Sequence, residues 1–128
     1  MSKVSTTDSA RHAFSAAWAK QQLPGPGGEA YNILFEHGSL EIEVYAPRGT
    51  DPQQPHTRDE VYVVISGSGW FVNGAERSRF AAGDLLFVPA GVVHRFEVFS
   101  DDFATWVMFY GPEGGEQGQD ESSASPSS

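Results

Sequence analysis

Four side chains in this 128-residue chain combine types and spacing suited to holding a metal ion. Gln54, His56 and Glu60 lie in "DPQQPHTRDEVYVVISGSG", residues 51–69, and His94 follows a Pro-x-Gly turn in "GDLLFVPAGVVHRFEV". An extended segment alternates its side chains between two faces, so Gln54, His56 and Glu60 have the parity to point one way. Pro52 and Pro55 keep the approach non-helical. Glu60 then opens an apolar strand in which Tyr62 and Val64 share its face. A carboxylate turned into an apolar interior is costly unless it is paired, protonated or bound to a cation. Two imidazoles, a carboxylate and an amide oxygen suit Mn, Fe, Ni, Co or Zn, and one such divalent ion is the expected cofactor. With no cysteine in the chain, a closed thiolate zinc site, a disulfide and a cysteine nucleophile are all excluded. Four ligands leave one or two coordination positions open to water or substrate. Gln54 has three readings: a direct oxygen ligand, the holder of a metal-bound water, or the mark of a site that has lost its metal.

The elements that must position these residues are short. From Glu29 onward, apolar segments separated by turns read as strands: "AYNILFE", "SLEIEVYA", "EVYVVIS", "GWFVN", "SRFAA", "DLLFVPA", "HRFEVF" and "ATWVMFY". Asn73-Gly74 signals a two-residue hairpin and Ala82-Gly83-Asp84 another tight connection, with Asp84 making a turn hydrogen bond. Eight short strands at this spacing imply an all-β antiparallel jelly-roll barrel. Before them, "DSARHAFSAAWAKQQ" puts Ala10, Phe14, Ala17 and Trp18 on one helical stripe behind a cap at Asp8 or Ser9. The expected organisation is an N-terminal arm with a short helix at 1–28, a barrel at 29–110 and a disordered acidic tail at 111–128. His12 and His37 are expected at the surface, and Arg58 and Asp59 on a solvated edge. Trp70 and Phe71 are adjacent, so one faces away from the barrel, which suggests a homodimer surface.

The net charge of −9 argues against nucleic acid and anionic membrane as partners. No apolar run reaches membrane-spanning length and the start lacks a secretory apolar stretch, so a cytoplasmic location is expected.

The two ligand-bearing stretches resemble the paired motifs of the cupin superfamily, and specifically its small single-domain bacterial members. Gly49, His56, Glu60 and Gly67 fall on the first motif; Gly83, Pro89, Gly91 and His94 fall on the second. The sequence departs from the pattern where Gln54 replaces the first motif histidine, where the Gly49–Gln54 gap is one residue short, and where Val98 replaces the terminal Asn. The resemblance implies a double-stranded β-helix from about Tyr31 to Tyr110 and a metal at its centre.

Cupins include dioxygenases, isomerases, decarboxylases, lyases and non-catalytic binders, so the fold leaves the activity open. The expected function is a mononuclear divalent-metal enzyme acting on a small oxygenated organic substrate, by dioxygenase-like or metal Lewis-acid chemistry. The alternative is a non-catalytic cupin that binds a sugar or another effector. Glu60 and Tyr62 are the candidate catalytic residues, and Tyr62, Phe96, Trp106 and Met108 the candidate substrate contacts. No further acid or base stands out in the sequence, which disfavours sugar epimerisation.

Overall fold

A computed structural model describes residues 12–117. Eight strands form: β1 (Tyr31–His37), β2 (Leu40–Tyr45), β3 (Asp59–Ser66), β4 (Ser68–Asn73), β5 (Glu76–Ala81), β6 (Leu85–Val88), β7 (His94–Glu97) and β8 (Ala104–Tyr110). Every pairing is antiparallel, in a five-stranded sheet ordered β1-β2-β8-β3-β6 and a three-stranded sheet ordered β5-β4-β7. This is the jelly-roll arrangement the turn spacing predicts.

Between the sheets lies a core of Tyr62, Val64, Phe71, Phe80, Val88, Phe96, Phe103, Val107 and Phe109. Two glycines allow its far end to close. A Cβ on Gly67 would stand 2.6 Å from the Phe103 Cα, and one on Gly69 would stand 2.8 Å from the Phe99 Cα. The β4–β5 hairpin turns on Gly74 and Ala75, with Asn73 still paired to Glu76. Gly74 has φ +62°, the conformation that the first loop position of a type II′ turn requires. The second expected connection joins the two sheets rather than forming a hairpin, because β5 pairs with β4 and β6 with β3. There the Asp84 carboxylate accepts from the Ala81 amide at 2.8 Å.

The helix α1 (Ala16–Gln21) is shorter than its sequence stripe and is capped by Ser15, whose hydroxyl accepts from the Trp18 amide at 3.0 Å. The expected caps, Asp8 and Ser9, lie outside the described residues. From α1 and the turn after it, Trp18, Ala19 and Leu23 join Leu34, Val44, Ile65 and Trp106 in a second cluster. That cluster lies on the other side of the five-stranded sheet from the main core. Both faces of this sheet are therefore covered. Phe71 faces the interior, while the outward Trp70 is half-buried beneath the Arg77 and Arg79 guanidinium groups, 4.2 and 5.2 Å from its ring. No described helix is long and apolar enough to cross a membrane.

The chain stays tied to the barrel beyond Tyr110. Gly111 N donates to Ser39 Oγ at 3.0 Å, Gly114 N to the Thr57 carbonyl at 2.6 Å and Glu116 N to Asp59 Oδ2 at 2.8 Å. Residues 111–117 of the expected tail are thus a strap; 118–128 lie outside the described residues.

Candidate metal centre and its pocket

The approach segment and the first residue of β3 are both bonded to the turn before β7. Gly91 N donates to the His56 carbonyl at 2.7 Å, and Ala90 N donates to Asp59 Oδ1 at 2.9 Å. Asp59 is consequently buried, not part of a solvated edge, because it receives amides from two loops. This stitching brings His56, Glu60 and His94 together, with one ligand atom of each inside a 4.8 Å span. His94 Nε2 lies 3.2 Å and His56 Nε2 3.8 Å from Glu60 Oε1.

The electrostatics of the trio indicate what it lacks. His94 Nδ1 is 2.8 Å from the Val92 carbonyl, to which it must donate. The neutral ring therefore turns the lone pair of Nε2 toward a carboxylate oxygen. Among the described residues, Glu60 Oε1 and His94 Nε2 are the buried side-chain polar atoms with no hydrogen-bond partner. Either a proton or a cation must lie between them. Burial opposes charging His94, but the Glu60 carboxylate and the Val92 carbonyl outweigh it and raise its pKa. Burial lowers the pKa of His56, with Glu60 opposing and His94 reinforcing the shift, so this ring is neutral at pH 7. A divalent cation would satisfy all three side chains at once, and the donor set of two imidazoles and a carboxylate fits one.

Gln54 does not join them. It is exposed, and Gln53 occupies the inward position. Segment 51–58 is not a regular strand, so counting by twos across Pro52 and Pro55 lands one residue out of phase. Gln53 Oε1 is 3.1 Å from His56 Nε2 and accepts from the Tyr62 hydroxyl at 3.1 Å. Its amide is oriented by Asp51, whose Oδ2 accepts from Gln53 Nε2 at 2.6 Å and from the Phe96 amide at 2.8 Å. The Tyr45 hydroxyl donates to the other Asp51 oxygen. Tyr62 is fully buried on the Glu60 face, and burial followed by Glu60 holds its hydroxyl well above the usual tyrosine pKa.

The site opens into a pocket of about 950 Å³. Its walls come from alternate residues of four strands: Tyr31 and Ile33, Glu41, Glu43 and Tyr45, Glu60 and Tyr62, Val107 and Phe109. The approach segment adds Gln53, Gln54, His56 and Arg58. Of the expected substrate contacts, Tyr62 lines this pocket. Phe96 is sealed in the core, and Trp106 packs beneath α1. Met108 shares the parity of Trp106, so Val107 and Phe109 take the pocket face instead. Nothing in the sequence marks Glu41 and Glu43 as pocket residues, because acids alternating with Ile42 and Val44 have the pattern of a strand's solvent face.

A small antiparallel jelly roll with a His–Glu–His cluster at the base of an open pocket, Glu60 and His94 buried and His56 half-buried, defines the class of protein. The Cupin domain family matches residues 41–110, and the chain belongs to that family. An uncharacterized protein of Streptomyces coelicolor is 38% identical over 86 residues, covering 66% of this chain and 82% of that protein. An acireductone dioxygenase of Drosophila pseudoobscura pseudoobscura is 42% identical over 53 residues, 38% of this chain and 28% of that enzyme. Among solved structures, the DMSP lyase DddQ of Ruegeria pomeroyi superposes with TM-score 0.57 at 26% identity, covering 64% of this chain and 46% of that one. A cupin-2 domain protein of Shewanella frigidimarina gives TM-score 0.52 at 17% identity, with 63% and 79% covered.

Proposed function

We propose that this cupin is a mononuclear divalent-metal enzyme acting on a small oxygenated organic molecule. The observation that carries the reading is the pair of buried, partnerless atoms, Glu60 Oε1 and His94 Nε2, facing each other at 3.2 Å beside His56. His56, Glu60 and His94 would hold the ion. When bound, it supplies Lewis acidity toward a chelating oxygen or, if redox-active, chemistry with dioxygen. The chain's own groups set the rest. Gln53, fixed by Asp51, presents an amide oxygen beside His56, and Tyr62 keeps its proton and spends it on that oxygen. Val107, Phe109 and Ile33 exclude water from the pocket walls. The short match to an acireductone dioxygenase supports oxygen chemistry, and the likeness to a DMSP lyase supports a lyase. Oxygen uptake separates the two.

Protein purified without chelator or affinity nickel should carry about one divalent metal per chain, measured by plasma emission. Glu60→Ala or His94→Ala should abolish it. Full occupancy in the double variant would sink the assignment. Homodimerisation and a cytoplasmic location belong to the same proposal; sedimentation at the monomer mass would remove the first, and export of the tagged native chain the second.

A further inference from the structure

The side chain of Gln53 is held so that its amide faces one way only. Asp51 is buried and its two oxygens take four donors. The Tyr45 hydroxyl and the Gln53 backbone amide reach Oδ1, while Gln53 Nε2 at 2.6 Å and the Phe96 amide at 2.8 Å reach Oδ2. A carboxylate so surrounded only accepts, so Gln53 must turn its NH₂ group to Asp51 and its carbonyl oxygen away. That oxygen lies 3.1 Å from His56 Nε2 and accepts from the Tyr62 hydroxyl at 3.1 Å. Tyr62 in turn packs its ring 6.2 Å from that of His94, so the oxygen is pinned beside the trio from two sides.

Ligands about 2.1 Å from one ion stand about 3.0 Å apart along an octahedral edge and about 3.4 Å apart in a tetrahedron. The pairs here are separated by 3.1 Å for Gln53 and His56, 3.2 Å for His94 and Glu60, and 3.8 Å for His56 and Glu60. Gln53 Oε1 therefore keeps the spacing of a ligand to its neighbour. Without an ion, the Nε2–H of His56 satisfies the 3.1 Å contact; with one, that hydrogen leaves and both lone pairs turn to the cation.

We propose that Gln53 is the fourth ligand of this centre through Oε1, and that Asp51 is the positioning residue that keeps an oxygen, not a nitrogen, on the ion. The inference rests on the metal-enzyme reading above and adds a donor from outside the motif frame, where position 54 faces solvent. It also names the class of ion. Carbonyl and carboxylate oxygens suit Mn²⁺, while imidazole suits Fe²⁺, Ni²⁺ and Zn²⁺. Two oxygens with two imidazoles bias the centre toward Mn²⁺ and Fe²⁺, relative to a set with a third imidazole.

Mn²⁺ binding to metal-stripped protein, followed by loss of the free-ion electron paramagnetic resonance signal, and competition by Zn²⁺ on the same samples test this. Gln53→Leu keeps most of the bulk without a donor and should weaken Mn²⁺ by about tenfold or more, and Zn²⁺ by less. Gln53→His should raise the Zn²⁺ to Mn²⁺ affinity ratio by about tenfold. Asp51→Asn, which lets the Gln53 amide turn over, should weaken Mn²⁺ as Gln53→Leu does. A role confined to folding lowers both affinities by one factor and leaves the ratio at its wild-type value. An unchanged ratio in both Gln53 variants, with wild type binding both ions, overturns the proposal and leaves the three-ligand site standing. Wild type that binds neither ion overturns the metal reading itself.

Discussion

Val98 holds a φ of +51° with 77% of its surface exposed, a left-handed conformation in which a β-branched side chain crowds its own backbone. The cupin motif ends in Asn at this position, and Asn enters that region at little cost because its short polar side chain can bond locally. Val98→Asn should therefore stabilise the fold by about 1 kcal/mol, read as a higher urea midpoint at unchanged slope, with metal content unaffected. A lower midpoint would show that the exposed side chain contributes packing after all. The departure from Asn was visible in the sequence, but its backbone consequence was not. The same contrast holds at the site. His56, Glu60 and His94 were legible because their spacing follows two motifs, and the structure brings them within 4.8 Å. Gln53 was not, because the phase of an irregular, proline-broken segment is set by tertiary hydrogen bonds to Asp51 rather than by alternation.

At the scale of elements, strand positions were nearly all readable, whereas the face each strand turns to the pocket was not. The β8 sequence "ATWVMFY" is apolar throughout, so it carries no alternation to fix its phase. The cause is α1. By covering the outer face of the five-stranded sheet, it makes Val44, Ile65 and Trp106 as apolar as the residues opposite them. Trp106 thus belongs to stability and Phe109 to the pocket. Trp106→Ala should cost about 3 kcal/mol in urea unfolding, since a large ring leaves a cavity beneath Trp18. Metal content should stay at the wild-type level. A variant of near-normal stability that had lost its metal would return Trp106 to the site.

Across the whole molecule, the chain end closes a circuit that links both metal-bearing stretches. Asp59 lies next to Glu60 in sequence, and its two oxygens take one amide from the turn before β7 and one from Glu116 in the strap. Gly115 is held against this junction; a Cβ there would stand 3.0 Å from Asp59 Oδ1 and 3.1 Å from the Ala90 Cβ. Composition alone could not announce this, because "GPEGGEQ" buries no apolar side chain and works entirely through backbone donors. Ending the chain after Gly111 removes the Gly114–Thr57 and Glu116–Asp59 bonds and leaves a buried carboxylate oxygen short of a donor. The expected cost is about 1–3 kcal/mol, or roughly 4–20 °C in Tm for a domain of this size. Ending it after Gln117 retains every one of those bonds and removes only serines, glycine, proline, one glutamine, one alanine and the acidic Asp120 and Glu121, so Tm should stay within a degree of the full chain. The two truncations measured side by side by calorimetry isolate the strap. Equal melting temperatures would show that Asp59 finds its second donor in water, and that the barrel ends at Tyr110.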